Sequence, residues 1–427
     1  MIRFYFISLS IWLLVGNLTT HAQGLSNTDE PLLTAPPESG TATNTQPLHQ
    51  QRDLLDVIRT IGPGHRLRQL DTTSFQSGRP AIWVIPQAGY SLQTGFLAQL
   101  LGNVAFRRPG ANVSTLTSAV SYTQQHQQLW TNTLNYWLPD NAWNLTADVR
   151  LMHYPQATFG LGMGTNTDRV VNMDYSYLRN YVTLLRRLTP NFYGGLGLQL
   201  DLHWNIDSYN ARGERVRISR YTYGVTGRSL SVGPVVNLLY DNRANSINPL
   251  GGLFANVVFR QNVTWLGSNE SRASVLLDVR KYVPLSRAKP ETILAFWSYS
   301  ALTLNGNPPF LDLPATGWDT YNNTGRGYIQ GRFRGKDLLY LETEFRFGIT
   351  ANRLLGGVVF VNAQTVSEPV TPAHPDTGTP LFTRVAPAAG AGIRLRMNKL
   401  SRTNLSIDYG RGIEGSHGLF FNLGEVF

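Results

Sequence analysis

The chain has 427 residues, of which 42% are hydrophobic, 11% aromatic and only 15% charged, and it contains no cysteine. A charged fraction below the usual quarter is unlike that of a soluble helical enzyme. The formal net charge is +10, but no run of Lys and Arg with interleaved aromatic residues occurs, so we do not expect nucleic acid as a partner. The lack of cysteine excludes disulfides and thiol chemistry.

The first residues are typical of a secretory signal peptide. Arg3 precedes an apolar stretch over residues 4–15, and the Thr-His-Ala sequence at residues 20–22 ends with small residues where a signal peptidase would cut. We therefore expect residues 1–22 to be a signal peptide. A buried N-terminal helix is the alternative, but the apolar stretch is short and has the flanks of a signal.

Residues 23–80 are predicted to form a periplasmic linker. Residues 23–50 are rich in Pro, Thr, Ser and Gly, and residues 53–61 have the pattern of one short amphipathic helix. No later apolar run is long enough for a membrane-spanning helix. If the chain enters a membrane, it must therefore do so as a closed β-barrel.

From about residue 81 to residue 427 the hydrophobic pattern has a period of two. Over residues 338–347, Tyr340, Glu342, Glu344 and Arg346 share one face, while the other face is mostly apolar. An apolar face towards lipid and a charged face towards the lumen is the pattern of an outer-membrane barrel. A soluble β-sandwich also alternates, but it would turn its aromatic residues inward.

The predicted fold class is therefore all-β, a transmembrane antiparallel β-barrel of about sixteen strands over residues 81–427. The last strand is expected to reach the final residue, with Leu419, Phe421, Leu423 and Phe427 on one face. The alternating segments begin near Trp83, Phe96, Ser114, Gln128, Trp143, Tyr175, Tyr193, Arg228, Leu253, Ser274, Thr292, Leu338, Leu355, Gly390, Asn404 and Leu419.

Four blocks carry a more specific pattern. They are YDNRANSINPLGG at residues 240–252, GRGYIQG at residues 325–331, VVFVNAQTV at residues 358–366, and the closing strands of residues 390–427. In this order they resemble the C-terminal barrel of the outer-membrane assembly and translocation superfamily, also called the bacterial surface antigen family. It includes the central barrel of the β-barrel assembly machine and the two-partner-secretion transporters. The first block supplies the family's turn motif, Asp241, Arg243, Pro249 and Gly251.

The resemblance implies that the second block is the tip of a long loop that folds back into the lumen. Its arginine would contact acidic residues on the wall, since a guanidinium binds carboxylates with fixed geometry and flanking glycines permit close approach. A solvated loop arginine is the alternative. Glu344 holds the place of the first acidic partner, helped by Glu342, whereas Asn362 stands where a second carboxylate is usual. The loop motif comprises Gly325, Arg326, Gly327 and Tyr328.

The resemblance also implies a function. The barrel would insert or translocate polypeptides, or lipids, in outer-membrane lipid with a separate periplasmic partner, because residues 23–80 leave no room for the family's periplasmic polypeptide-transport-associated domains. Its lateral gate would be the seam between the first and last strands, with Pro86 on one side and Phe421 and Phe427 on the other. A passive pore or a structural subunit of an outer-membrane complex is the alternative.

No motif points to catalysis. The glycine-rich stretches at residues 160–165 and 194–200 lack the helix and lysine of a phosphate loop. The histidines lack metal-ligand spacing, and no nucleophile motif occurs. We therefore predict that the protein is not an enzyme and has no cofactor and no metal.

Overall fold

The computed structural model describes residues 50–54, 56–57, 80–91, 93–108, 110–168, 170–219, 221–369, 378–399 and 401–427. The expected signal peptide and most of the expected linker lie outside these residues. Of the helix expected over residues 53–61, the structure describes only residues 53, 54, 56 and 57, the last three of them helical. Within the described ranges, no helix has the length and apolar character needed to cross a bilayer.

Seventeen strands in the described part of the chain form one antiparallel sheet. Each strand pairs with its neighbour in sequence, except that β5 pairs directly with β7 and the three-residue β6 continues β5 along the same partner. The strands are β1 (Ala81–Ser91), β2 (Gly95–Arg107), β3 (Val113–Thr123), β4 (Gln128–Trp137), β5 (Trp143–His153), β6 (Gln156–Thr158), β7 (Val171–Thr189), β8 (Phe192–Tyr209), β9 (Gly227–Asp241), β10 (Gly252–Asn262), β11 (Arg272–Pro284), β12 (Ile293–Asn305), β13 (Leu338–Gly348), β14 (Leu355–Val366), β15 (Ala386–Asn398), β16 (Thr403–Gly412) and β17 (His417–Leu423).

The predicted all-β antiparallel fold is confirmed, and every alternating segment of the sequence coincides with a strand. Only β6 was not predicted. It follows Pro155 and has three residues, which is too short for a period of two to show. About sixteen strands is therefore the correct number of long strands, and β6 is the one addition.

Burial follows the predicted alternation in β13. Glu342 and Glu344 are buried towards the lumen, whereas Leu341 is 60% exposed and Phe345 is 39% exposed on the outer face. A strand with its carboxylates inside and its large apolar side chains outside suits a barrel that is surrounded by lipid.

The two end strands, β1 and β17, are neighbours in the structure. β1 pairs with β2 from Ala81 to Ser91, and β17 pairs with β16 from His417 to Leu423. Among the described residues, no hydrogen-bonded ladder joins β1 to β17. As far as these ranges show, the seam differs from the other neighbouring strands, which backbone hydrogen bonds join.

The chain leaves the barrel wall at the end of β17. Gly424 has a φ of 109°, a conformation that favours glycine, and the next residues turn into the lumen. Phe427 is only 4% exposed and lies against Trp297 of β12, with 5.2 Å between the ring centroids. The expectation that Phe427 continues the lipid-facing row of Leu423 is therefore wrong, because the strand stops before it. We call Gly424–Phe427 the tail.

Candidate functional site

A long connection between β12 and β13, residues 306–337, crosses the barrel lumen. On one side, Arg150 of β5 donates a hydrogen bond to the carbonyl oxygen of Thr320 at 2.8 Å. On the other side, the hydroxyl of Tyr328 donates to the carbonyl oxygen of Pro387 in β15 at 2.6 Å. Because these strands lie far apart around the sheet, the connection, which we call the lumen loop, spans the interior.

Arg326 lies at the centre of this loop and is 1% exposed. Its Nη1 donates to Oδ2 of Asp408 in β16 at 2.7 Å, and its Nη2 donates to carboxylate oxygens of both Glu342 and Glu344 in β13. The guanidinium also stacks over the ring of Phe360, 3.7 Å from the centroid. Three carboxylates and one aromatic ring therefore hold a single arginine.

Two glycines bring the loop backbone up to the wall. Gly325 and Gly327 have φ values of 80° and 103°. A Cβ at Gly327 would lie 2.8 Å from Cβ of Ala388 in β15, closer than real Cβ contacts. Tyr328, which follows, accepts a hydrogen bond from the backbone N–H of Ile413 at 3.1 Å. The spacing of glycine, arginine, glycine and tyrosine thus matches a loop tip pressed against β15 and β16.

The salt bridges of Arg326 continue along the wall and reach the tail. Arg394 donates to Oδ1 of Asp408 at 2.5 Å and to Oε2 of Glu425 at 2.7 Å. Arg346 donates to Oε2 of Glu344 at 2.6 Å and to the carbonyl oxygen of Phe427 at 2.8 Å. We call this connected set, with Arg326 and Glu342, the lumen network.

Two further arginines, which sequence reasoning did not single out, fix the returning half of the loop. Arg332 donates to Oγ1 of Thr165 at 2.6 Å and to Oε2 of Glu414 at 2.8 Å. Arg334 donates to the carbonyl oxygens of Phe310 and Leu313 at 3.1 and 3.2 Å. In the sequence, the two arginines flank Phe333. This alternation of charged and aromatic residues was the signal that could have identified them.

The structure brings Arg326 together with both expected glutamates, but it changes the expected set in two ways. The sequence left Glu344 as the one carboxylate, with help from Glu342, whereas Asp408 also binds the guanidinium. Asn362 faces the loop backbone instead: its Nδ2 donates to the carbonyl oxygen of Arg326 at 2.9 Å. Asp408 was missed as a partner because it is remote in sequence from Arg326. In residues 404–410 it alternates with the apolar Ile407 and Tyr409, and this alternation is the signal for a place on the lumen face.

The turn motif lies at a different place, in the connection between β9 and β10. Asp241 accepts two hydrogen bonds from the guanidinium of Arg243, both at 2.8 Å, and that guanidinium stacks over Phe254. Pro249 and Gly251 precede β10 in the same connection. The motif thus orders a turn, and it does not contact Arg326.

Two of the three expected seam residues are on the end strands. Pro86 lies in β1, opposite Leu100 of β2, and Phe421 lies on the outer face of β17. Phe427 is in the lumen and is not a seam residue. In the part of the chain that the structure describes, no group of His, Asp or Glu side chains is arranged to hold a metal ion.

In a comparison with protein families, residues 110–427 match the Omp85 superfamily domain. Comparison with curated protein sequences gives no significant match.

Solved structures that are similar in fold include the following three. A crystal structure of BamA from Haemophilus ducreyi lacking POTRA domains 1–3 is 15% identical, with a TM-score of 0.50 over 81% of this chain and 68% of that chain. CdiB from Acinetobacter baumannii is 14% identical, with a TM-score of 0.52 over 81% of this chain and 60% of that one. CdiB from Escherichia coli is 12% identical, with a TM-score of 0.52 over 81% and 62%. At such identities the likeness shows the β-barrel fold.

Proposed function

The chain belongs to the Omp85 superfamily, and from this premise we propose that it is an outer-membrane barrel that inserts or translocates other polypeptides, or lipids, through the seam between β1 and β17. The observation that carries the proposal is the seam itself: the two strands are neighbours, yet no ladder joins them among the described residues. Unpaired strand edges are templates on which another strand can add.

The composition of β1 supports this role. Pro86 lacks a backbone N–H and Gly89 lacks a side chain, so both weaken a strand. The outward residues Ile82 and Val84 are strongly exposed. In our proposal, β1 is the edge that opens, and a client strand pairs with it when β17 moves away.

A disulfide across the seam tests this proposal. Because the chain has no cysteine, Val84→Cys can be combined with single cysteines over residues 419–423. Neighbouring strands bring Cα atoms within the ~4.4–6.8 Å that a disulfide needs, so at least one pair should form. The locked barrel should keep its fold, but cells that depend on this protein should no longer assemble their other outer-membrane barrels.

A matched control is available on the other side of β1. Val84 lies opposite Gly102 in the ladder with β2, so Val84→Cys with Gly102→Cys should form a disulfide that leaves the seam free and activity intact. Full activity of the seam-locked form would contradict a gate at the seam and would favour a pore or a structural subunit.

We further propose a separate periplasmic partner, as the family resemblance implies. Affinity purification of the native protein from detergent-extracted membranes should recover periplasmic assembly subunits. A passive pore is less well supported, because the lumen loop crosses the interior. Solute-selective conductance of the wild-type barrel, without accumulation of unassembled barrels on deletion, would favour the pore instead.

A further inference from the structure

A second site lies in the lumen away from Arg326. It is a cavity of about 200 Å³ between the inner faces of β7, β8, β10, β11 and β12 and the first part of the lumen loop. Such a volume holds several water molecules or one small ligand. Its charged lining residues are Arg179, Asp201, Arg260, Arg272 and Asp312, and we call it the arginine cavity.

Positive charge exceeds negative charge in this lining, which has three arginines and two aspartates. Asp201 accepts a hydrogen bond from Nη1 of Arg260 at 2.5 Å, and Asp312 accepts one from Nη2 of Arg272 at 2.7 Å. Arg179 makes only longer ion pairs, at 4.0 Å to Asp201 and at 3.5 Å to Asp148, and its Nε donates to the hydroxyl of Tyr177 at 2.8 Å. Asp148 lies outside the lining and already binds Arg150 at 2.7 Å. One cation therefore remains in excess of the carboxylates that line the cavity, which disfavours a metal ion and favours an anion.

Three buried nitrogen atoms in the lining lack hydrogen-bond partners among the described residues. They are Nε of Arg272, a residue that is 6% exposed, Nδ1 of His203, which is 3% exposed, and Nε1 of Trp318. His203 stacks on Tyr177 and its Nδ1 is 3.5 Å from Asp312, without forming a hydrogen bond. Leaving such atoms unsatisfied is costly, so a polar occupant is expected there.

We propose that the arginine cavity binds a phosphate group. The unused donor of Arg272 and the weakly paired guanidinium of Arg179 can both give charge-assisted hydrogen bonds to its oxygens, for which a guanidinium has the matching geometry. The phosphate is either a free inorganic ion or the headgroup of a lipid that reaches the lumen. This proposal is independent of the proposed function of the seam, so either of the two can fail while the other holds.

Calorimetric titration of the full-length protein in a non-ionic detergent, at fixed pH and ionic strength, tests the proposal with inorganic phosphate and glycerol 3-phosphate. The wild-type protein should show one saturable site. In Arg272→Gln, the loss of a charge-assisted hydrogen bond should lower the affinity for phosphate by about tenfold to a hundredfold. Binding of inorganic phosphate alone identifies the free ion, and glycerol 3-phosphate binding at least as tightly identifies a headgroup.

Two further variants keep the test decisive. Arg272→Gln removes the ion pair of Asp312 and could weaken binding through that loss alone. Ala301→Leu fills the cavity and removes no charge, and it should abolish binding. Arg396→Gln removes an equally buried lumen arginine that pairs with Glu291 at 3.0 Å, outside the cavity, and should leave binding unchanged. No saturable heat with either phosphate, or equal weakening in Arg396→Gln, overturns the proposal.

Discussion

At the scale of single residues, Arg326 and its acidic partners depend on one another. Glu342 and Glu344 project from the same face of β13, and both are buried. Without a cation between them, their two negative charges would repel each other in a place where water does not screen them. Burial of an ion is tolerated only where its charge is paired and its hydrogen bonds are made. The guanidinium meets that condition with three carboxylates.

We expect Arg326→Ala to be strongly destabilising, because loss of one member of a buried pair costs about 3–5 kcal/mol. Glu344→Ala should also destabilise, and the double variant should be impaired much less than additively, since the two residues are in direct contact. The temperature at which the folded form is lost in detergent measures each effect. Arg411→Ala, an exposed arginine of β16, is the control and should change little. Strict additivity, or cleavage at Arg326 by a protease added to intact cells, would contradict the inward loop.

Asn362→Asp should weaken the loop rather than strengthen it. The sequence suggested that a carboxylate at this position would serve as a second partner for Arg326. In the structure, however, Nδ2 of Asn362 donates to the carbonyl oxygen of Arg326 and lies 3.4 Å from Oε2 of Glu342. An aspartate would replace that donor with a negative charge facing two acceptors. The unfolding temperature of Asn362→Asp should be lower than that of Asn362→Ala. An unfolding temperature above that of the wild-type protein would show that position 362 faces the guanidinium.

At the scale of elements, the tail and the lumen loop support each other. Nδ2 of Asn323 in the loop donates to the carbonyl oxygen of Val426 at 2.6 Å, and Phe427 packs between the rings of Tyr282 and Trp297. Glu425 meanwhile joins the lumen network through Arg394. Because the tail continues β17, anything that moves β17 away from the seam must also disturb these contacts.

A cysteine at Val426 reports on the position of the tail. Val426 is buried, so Val426→Cys should resist a water-soluble maleimide in the folded barrel. Adding Phe427→Ala removes the aromatic ring that anchors the tail in the lumen, and labelling should become fast. Adding Phe421→Ala instead, on the outer face of β17, should leave the cysteine protected. Equal labelling in the two double variants would show that Phe427 does not hold the tail.

The sequence predicts elements well where a periodic pattern can express itself. Along each long strand, lipid outside and charge inside force alternation, so the position of Glu344 on the lumen face follows from β13 alone. The tail could not be predicted, because the alternation that places Leu423 on the outer face continues in the sequence to Phe427. The chain nevertheless turns into the lumen at Gly424. The partnership of Arg326 with Asp408 depends on how a loop folds onto a distant strand, which no local pattern records.

At the scale of the whole molecule, the low charged fraction and the lumen network have one cause. A lipid-facing surface excludes charged side chains, so the charged residues of the strands concentrate inside, where they must pair. In the part of the chain that the structure describes, backbone ladders join the neighbouring strands of the wall except β1 and β17, and the lumen loop, the lumen network and the tail support the barrel from within. Stability should therefore be high overall, with its weakest line between β1 and β17.

The barrel should be heat-modifiable: boiled and unboiled samples should migrate differently in a denaturing gel, since a sheet whose strands are paired on both sides except at the seam resists detergent. The disulfide that joins Val84→Cys to β17 should raise the temperature of this transition, because it closes the weakest line of the wall. The control disulfide between Val84→Cys and Gly102→Cys should raise it less, because those strands are already paired over their whole length. Equal shifts for the two disulfides would show that the seam does not limit stability. Identical migration of boiled and unboiled wild-type samples, together with recovery of the protein in a soluble fraction, would contradict the membrane barrel itself.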